Sequence, residues 1–142
     1  MAELLLIARL AGRRVAFPAS AVEAVVELEG LTPVPRAAAH VAGLSALRSR
    51  VLTVIDGSAS LEFGGSSALR EAIVVPSDGH TYAILVEEVE DVVEPSAPAQ
   101  PVKAPLGPGW DRVASAMIEA EGELYLLIDP HALIAGPAAH AA

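Results

Sequence analysis

The sequence predicts an all-β fold built from small barrels, in which the helices are short. Three observations lead to this prediction: four pairs of short apolar segments flank tight turns, the connections are short, and long helical periodicity is scarce. Aliphatic residues dominate a hydrophobic fraction of 53%, whereas Phe, Trp and Tyr supply only 4%, and this mixture suits pleated strands. Because an open sheet leaves unpaired edges, closure into barrels is the natural solution.

The first hairpin opens the chain. Alternating apolar residues predict strands from Glu3 to Leu10 and from Arg14 to Phe17, joined across Ala11-Gly12-Arg13. Pro18 then interrupts the ladder, because proline has no amide hydrogen to donate. The segment from Val22 to Leu28 follows, and its pattern fits either a strand or a short helix.

A second hairpin is predicted between Val41 and Asp56, where two apolar strands flank the charged turn Arg48-Ser49-Arg50. The preceding stretch from Thr32 to Pro35 must be extended, because each of its two prolines keeps the residue before it out of the α region. Residues 57–67 are rich in Gly, Ser and Ala, and we expect them to connect two halves of the chain.

The second half repeats the same pattern. Strands are predicted from Ala72 to Val75 and from Thr81 to Val86, because Asp78-Gly79 between them is a strong hairpin signal. In the stretch from Glu87 to Glu94, we expect the acids to form a solvated face while the valines reach inward. Five prolines between residues 95 and 108 cannot continue a ladder and predict a surface loop with polyproline geometry.

The chain then closes with a fourth hairpin and a short helix. Val113 to Ala120 and Glu123 to Ile128 flank the turn Glu121-Gly122. Asp129-Pro130 combines a helix N-cap with a proline at the first helical position. We therefore expect a short C-terminal helix that ends at Gly136, since glycine is common just after a helix.

Charge and composition exclude several classes of function. Eighteen acidic residues against nine basic ones give a formal charge of −9, which repels nucleic acid and anionic lipid. The chain has no cysteine, so disulfides and thiolate nucleophiles are excluded. The apolar run after Glu3 is short and is followed by positive charge, the reverse of a secretory signal. Since no apolar stretch reaches the roughly 20 residues of a membrane span, we expect a cytoplasmic protein without direct membrane insertion.

Catalytic, cofactor and metal sites are not predicted. Four histidines are scattered along the chain without metal-ligand spacing or a nearby nucleophile pattern: His40, His80, His131 and His140. Asp56 and Asp129 both end predicted strands, where a carboxylate more often caps a turn than performs acid–base chemistry. The sequence therefore favours a binding protein over an enzyme.

The stretch from Val41 to Asp56 reads VAGLSALRSRVLTVID and resembles a motif of the CheW-like family, V-x-G-(L/V)-x-x-L-R-G-x-(V/I)-(L/V)-x-(V/I)-(V/I)-D. Weaker similarities lie over Ala16 to Val25, Ala83 to Val89 and Leu124 to Asp129, so that the resemblance covers residues 3–134. The chain departs from the family pattern at several positions, where the family has Glu, Asn, Gly, Leu and Pro: Ala24, Ala46, Ser49, Gly57 and Ala38.

The resemblance implies a fold and a function. The fold would be a single domain over residues 1–142 with two intertwined, five-stranded SH3-like barrels. We expect the first barrel at approximately 14–70 and the second at approximately 71–128, with the N-terminal strand and C-terminal helix packing across. The function would be that of a non-catalytic adaptor. It would link the cytoplasmic helical hairpin of chemoreceptors, the methyl-accepting chemotaxis proteins, to the regulatory domain of the histidine kinase CheA.

The receptor hairpin would lie in the groove between the barrels, and the kinase domain on a barrel end. A groove lined by apolar side chains would suit a helix with apolar residues at i, i+3, i+4 and i+7. The partner-binding residues expected from the sequence are Val22, Val25, Leu44, Leu47, Arg48, Val86 and Val89. Arg48 is either a solvated turn charge or the donor of a forked contact that organises the groove.

Two other functions stay open at this point. A stand-alone CheW-like regulator could compete for the kinase or the receptor without coupling them. A small-molecule-binding or hydrolytic β-barrel would need a pocket that gathers two or more converging ionisable groups.

Overall fold

The computed structural model describes residues 3–64 and 71–137. Within these ranges the chain forms ten strands, three short α-helices and a 3-10 turn at Ala19–Ala21. The strands are β1 Leu5–Leu10, β2 Arg13–Pro18, β3 Ala24–Glu27, β4 Val41–Leu47, β5 Arg50–Asp56, β6 Glu71–Ser77, β7 His80–Val86, β8 Glu88–Val93, β9 Ala114–Ala120 and β10 Glu123–Ile128. The helices are α1 Gly57–Ser60, α2 Pro108–Val113 and α3 Pro130–Ala135. The predicted all-β class is confirmed.

The strands form two five-stranded sheets, with the orders β8-β1-β2-β10-β9 and β3-β6-β7-β5-β4. Each sheet has one parallel pair, β2 with β10 and β5 with β7. The segment after each edge strand then pairs with the opposite edge. Gln100, beyond β8, bridges to Met117 in β9, and Thr32, beyond β3, bridges to Leu44 in β4. These bridges close the sheets into a terminal barrel (β1, β2, β8, β9, β10) and a central barrel (β3 to β7).

The expected bounds of the two barrels were wrong, although their intertwining is confirmed. A division at residue 70 assumes that each half of the chain builds its own barrel. Instead, the central barrel comprises the consecutive strands β3 to β7, and the terminal barrel combines strands from both chain ends. Each half begins with a hairpin and continues with three strands, and the two halves exchange their hairpins. The β1–β2 hairpin therefore joins β8, β9 and β10, while the β6–β7 hairpin joins β3, β4 and β5.

All four predicted hairpins are present with two-residue turns. In three of them the first turn residue has a positive φ, 51° at Ala11, 51° at Asp78 and 50° at Glu121, and glycine follows. Positive φ at both turn positions matches the right-handed twist of the flanking strands. The fourth turn has Arg48 at a φ of 60°, followed by Ser49. The segment whose pattern fitted a strand or a helix contains strand β3.

Three apolar cores hold the barrels together. The largest lies between the barrels and combines Leu6, Phe17 and Ile128 of the terminal barrel with Ile55 and Ile84 of the central barrel. A second cluster fills the terminal barrel and a third fills the central barrel. Burial of each large aliphatic side chain contributes about 1.5–3 kcal/mol, so both faces of the middle strands stabilise the fold.

The proline-rich segment is fixed on the terminal barrel, which the sequence did not indicate. The backbone N–H of Ser96 donates to the Glu119 carbonyl, and Gln100 and Met117 exchange both backbone hydrogen bonds. Val102 and Leu106 are partly buried against the inter-barrel core. The segment therefore completes the terminal barrel as well as covering its surface.

Both strand-end aspartates cap short helices, as expected. Asp56 Oδ1 accepts a hydrogen bond from the backbone N–H of Ala59 at 3.0 Å. Asp129 Oδ1 accepts one from the backbone N–H of His131 at 3.0 Å. The C-terminal helix α3 ends at Gly136, as predicted. The expected connector at 57–67 begins with α1, and its last three residues lie outside the described residues.

Candidate partner-binding surface

A β-bulge in β8 places two valines on the same face of the terminal barrel. Val89 pairs with Ala8 and Val92 with Leu6, whereas Glu90 between them is left out of the register. Residues three apart in a regular strand point to opposite faces, so the extra residue is what aligns the two valines. Ala8 and Leu6 both belong to the inter-barrel core, and the valines therefore face the central barrel.

Two arginines hold the bulge. Arg14 Nε donates to Glu90 Oε1 at 2.7 Å, and Arg9 Nη2 lies 3.5 Å from Glu90 Oε2. The hydrogen bond to Glu90 raises the pKa of Arg14, with Tyr125 and Glu123 adding to the effect. These contacts fix the Glu90 side chain against Arg9 and Arg14, and only 19% of it stays exposed.

The central barrel contributes the opposite wall. Val25 in β3 pairs with Ile73 in β6, and Ile73 is a member of the inter-barrel core. Val25 therefore lies on the face directed at the terminal barrel, yet it is 43% exposed because β3 is an edge strand. Val22 is partly buried against the same core. The backbone N–H of Val89 donates to Glu71 Oε1 at 2.6 Å, which joins β8 to β6 across the two barrels.

We use the term inter-barrel groove for the surface where the two barrels meet, and we define it by Leu4, Val22, Val25, Val89 and Val92. Leu4 directly precedes β1 and is 46% exposed, and Val92 is 52% exposed. Exposed apolar groups that lie around one core mark interaction sites more often than scattered ones do. The groove is therefore the surface on which we base the proposed function.

The rim of the groove on the central barrel is acidic. Glu23 and Glu27 each lie two positions from Val25, and both are exposed. Glu27 pairs with Glu71 across the strands. Glu23 also accepts from Arg50 Nη2 at 2.5 Å. An apolar floor with an acidic rim suits a helix that carries an apolar stripe flanked by basic residues.

The structure divides the seven residues expected to bind a partner. Val22, Val25 and Val89 are among the residues that define the groove, whereas Leu44, Leu47 and Arg48 lie on the β4–β5 hairpin. Leu44 and Leu47 are half-buried, and Leu47 packs against the core of the central barrel. Arg48 is exposed at the hairpin tip and forms no ion pair with the described residues. The ion pair between Arg50 and Glu23 brings this tip beside the start of β3.

Val86 has to be removed from the expected surface, and two residues have to be added. Val86 is wholly buried in the inter-barrel core, so its side chain cannot contact a partner. Leu4 and Val92 are exposed residues of this surface that the sequence analysis did not name. Val92 was expected to reach inward, because simple alternation gives no sign of the bulge at Glu90. Two adjacent acids, Glu90 and Asp91, are the only local hint that the valine pattern shifts there.

The histidines of the described residues have structural contacts. His40 is buried, and its Nε2 lies 2.9 Å from the Ile134 carbonyl oxygen. His131 Nδ1 lies 2.9 Å from the Ser77 hydroxyl, and the ring of His80 packs edge-on against Tyr82. His140 lies outside the described residues. Across 3–64 and 71–137, no three His, Asp or Glu residues are grouped as metal ligands.

Three cavities of the described residues each have a single ionisable lining residue. Their volumes are about 500, 370 and 350 Å³, and the ionisable residues are Glu3, Glu62 and Lys103 respectively. None of the three gathers the two converging ionisable groups that the small-molecule or hydrolytic interpretation requires. In the part of the chain that the structure describes, no helix has the length and apolar character needed to cross a membrane.

Two closed, interlocked five-stranded barrels with an apolar groove between them define an all-β two-barrel domain. The chain belongs to the CheW-like family, since the model of the CheW-like domain matches residues 4–138. The resemblance noted in the stretch from Val41 to Asp56 is thereby confirmed.

One solved structure with a similar fold is the scaffolding protein TtCheW from Thermoanaerobacter tengcongensis. The sequence identity is 20%, the TM-score is 0.80, and the alignment covers 94% of this chain and 92% of that one. A search of the curated proteins returned no match.

Proposed function

We propose that this chain is a non-catalytic adaptor that couples chemoreceptors to the histidine kinase CheA and is recruited to receptor arrays at the membrane. The observation that carries the proposal is the inter-barrel groove, in which Leu4, Val25 and Val92 stay 43–52% exposed around a buried core. A helical hairpin of a receptor could bury these side chains while its basic residues meet the acidic rim. Family membership supports the same function.

The groove has the chemistry of reversible recognition. Val25, Val89 and Val92 sit on strands that pair with core strands, so little ordering is needed on binding. We expect Val25→Ser and Val92→Ser each to weaken binding of the receptor hairpin by about 1–2 kcal/mol. Titration calorimetry with the isolated hairpin measures this change.

Leu124→Ser is the matched control. Leu124 is 61% exposed on β10, outside the groove, so its replacement removes apolar surface without touching the proposed site. Receptor binding that is equally weak in Leu124→Ser and Val92→Ser would contradict the groove assignment, because the loss would then be unspecific.

A three-component pull-down separates coupling from competition. The receptor hairpin is immobilised, and retention of the CheA regulatory domain is measured as this protein is added. An adaptor increases retention of the kinase domain, whereas a competing regulator reduces it when a second coupling protein supplies the link. No retention of either partner at tens of micromolar, roughly −6 kcal/mol, would reject both functions.

A further inference from the structure

Residues 95–101, the first part of the proline-rich segment, cross the edge of β9, and we call them the strap. Val93, before the strap, is 6% exposed and belongs to the core of the terminal barrel. Val102, after it, packs against the inter-barrel core. None of the seven strap residues between these two anchors is buried. The strap therefore crosses the barrel without a buried side chain that fixes it.

Three backbone hydrogen bonds join the strap to β9. The N–H of Ser96 donates to the Glu119 carbonyl at 2.7 Å. The N–H of Gln100 donates to the Met117 carbonyl at 2.8 Å, and the N–H of Met117 donates back to the Gln100 carbonyl at 2.7 Å. Three of the seven strap residues are prolines, which have no N–H to donate. Because water competes for each bonding group, three bonds are a weak attachment.

Two cavities flank the strap. One, of about 500 Å³, lies between strap residues 95–99 and the apolar side chains of Leu5, Ile118 and Leu127. The other, of about 350 Å³, lies beside Gln100. A cavity lacks the dispersion contacts that a close-packed interior provides. Packing therefore adds little to the three hydrogen bonds that hold the strap.

We propose that the strap opens as a unit while both barrels stay folded, and that this opening frees the edge of β9. β9 itself pairs with β10 along its whole length, and segments with few buried contacts open at a lower free energy than such core strands. Opening uncovers the N–H and C=O groups of Met117 and the C=O group of Glu119, which then form an unpaired strand edge. The inference goes beyond the proposed function, because none of the residues that define the inter-barrel groove lies in the strap.

Two neighbouring amides of β9 provide an internally controlled test. The N–H of Met117 points to the strap, so the N–H of Ile118 points to β10, where Ile118 pairs with Tyr125. We expect amide hydrogen exchange, corrected for intrinsic rates, to be at least about 100-fold faster at Met117 than at Ile118. Low urea concentrations should accelerate exchange at Ile118 but hardly at Met117 or Gln100, because opening of the strap exposes little surface.

A disulfide between the strap and β9 tests whether opening of the strap causes this exchange. The chain has no cysteine, and Gln100 and Met117 are antiparallel partners, whose Cα separation of about 5.5 Å suits a disulfide. In the double variant Gln100→Cys with Met117→Cys, oxidation should slow exchange at position 117 at least about tenfold, and reduction should reverse the effect. The reduced protein is the matched control, because its sequence is the same. As a second variant, Ser96→Pro removes one of the three hydrogen bonds and should accelerate exchange at Met117 but not at Ile118.

Three results would overturn the proposal. Equal exchange rates and equal urea dependence at Met117 and Ile118 would show that the strap is released only when the barrel unfolds. Exchange at Gln100 and Met117 at the intrinsic rate of an unprotected amide would show that the strap is not seated on β9 at all. Exchange at position 117 that is the same in the oxidised and reduced double variant would mean that a motion other than opening of the strap causes it.

Discussion

Gly136 lies against the imidazole ring of His40. A Cβ atom at position 136 would stand 2.2 Å from Cε1 and 2.4 Å from Nε2 of that ring. The ring cannot easily move away, because it is buried and its Nε2 lies 2.9 Å from the Ile134 carbonyl oxygen. His40 directly precedes β4, so this contact attaches the end of α3 to the central barrel.

We expect Gly136→Ala to lower the free energy of unfolding by about 2–4 kcal/mol. Part of this loss comes from the φ of 77° at Gly136, which disfavours any residue with a Cβ, and the rest comes from the clash with His40. Gly122→Ala is the matched control, since Gly122 has a φ of 80° and a Cβ there would meet no atom within 4 Å. Equal losses in urea unfolding would show that the His40 contact contributes nothing.

The hairpins could be predicted from the sequence because their signals are local. Asp78-Gly79 and Glu121-Gly122 carry the turn chemistry within two residues, and the flanking aliphatics complete the pattern. The exchange of hairpins between the barrels could not be predicted in this way. Pairing of β2 with β10 joins residues more than 100 positions apart, and no local pattern specifies which distant strand is the partner.

The candidate site was predictable only in part for a similar reason. Val22, Val25 and Val89 came from apolar positions and family resemblance, but exposure depends on which strand is an edge. Val86 and Val92 are both valines in β-prone stretches, yet one is wholly buried and the other is 52% exposed. Val86 is buried because β7 lies between β6 and β5 in its sheet, whereas the bulge at Glu90 shifts the alternation of β8 by one residue and so changes the face on which Val92 lies.

The contacts around Gly43 explain why the motif has glycine at this position. A Cβ there would stand 2.3 Å from the Thr32 carbonyl oxygen, which accepts the Leu44 N–H in the bridge that closes the central barrel. The clashing atom is backbone, so relief requires opening the bridge. We expect Gly43→Ala to cost more than about 2 kcal/mol of unfolding free energy and to speed amide exchange at Leu44. Exchange at Leu44 as slow as in the wild type would contradict this account of barrel closure.

Arg112 should be a further point of stability, because it ties three helices together. Its Nη1 donates to the Ala132 carbonyl at 2.5 Å, and its Nη2 donates to the backbone carbonyl and hydroxyl of Ser60. Burial lowers the pKa of Arg112 and the charge of Glu62 opposes the shift, but the guanidinium stays protonated and needs these acceptors as hydrogen-bond partners. We expect Arg112→Lys to lose about 1–3 kcal/mol, since one ammonium cannot reach both α1 and α3. Arg36→Lys is the control. Equal free energies of unfolding of the two variants would show that the contacts of Arg112 to α1 and α3 do not stabilise the fold.

Tyr125 should make the free energy of unfolding depend on pH in the alkaline range. Burial raises the pKa of Tyr125 above its ordinary value of 10.0, and the charge of Arg14 opposes the shift. The folded state therefore holds the phenol proton to higher pH than the unfolded chain does. Its contribution is fully present below pH 10 and is lost as the pH rises through the folded pKa. Urea unfolding between pH 8 and 11 should show a shallower decline for Tyr125→Phe than for the wild type or Tyr82→Phe. Parallel declines in all three proteins would contradict this assignment.

Substitutions of Arg48 distinguish two roles for this residue, a solvated turn charge and a contact to the receptor. Its backbone already holds a φ of 60°, and Arg48→Ala keeps a Cβ there, so we expect stability to change by no more than about 0.5 kcal/mol. If the hairpin tip beside Glu23 belongs to the receptor site, the same change should weaken receptor binding by about 2 kcal/mol or more. Arg48→Lys tests the forked contact, because it keeps the charge and loses the planar donors. Arg50→Gln breaks the Arg50–Glu23 ion pair. It tests whether receptor binding depends on the position of the hairpin tip. If Arg48→Ala and Arg48→Lys both bind the receptor like the wild type while Val92→Ser does not, recognition lies in the groove alone.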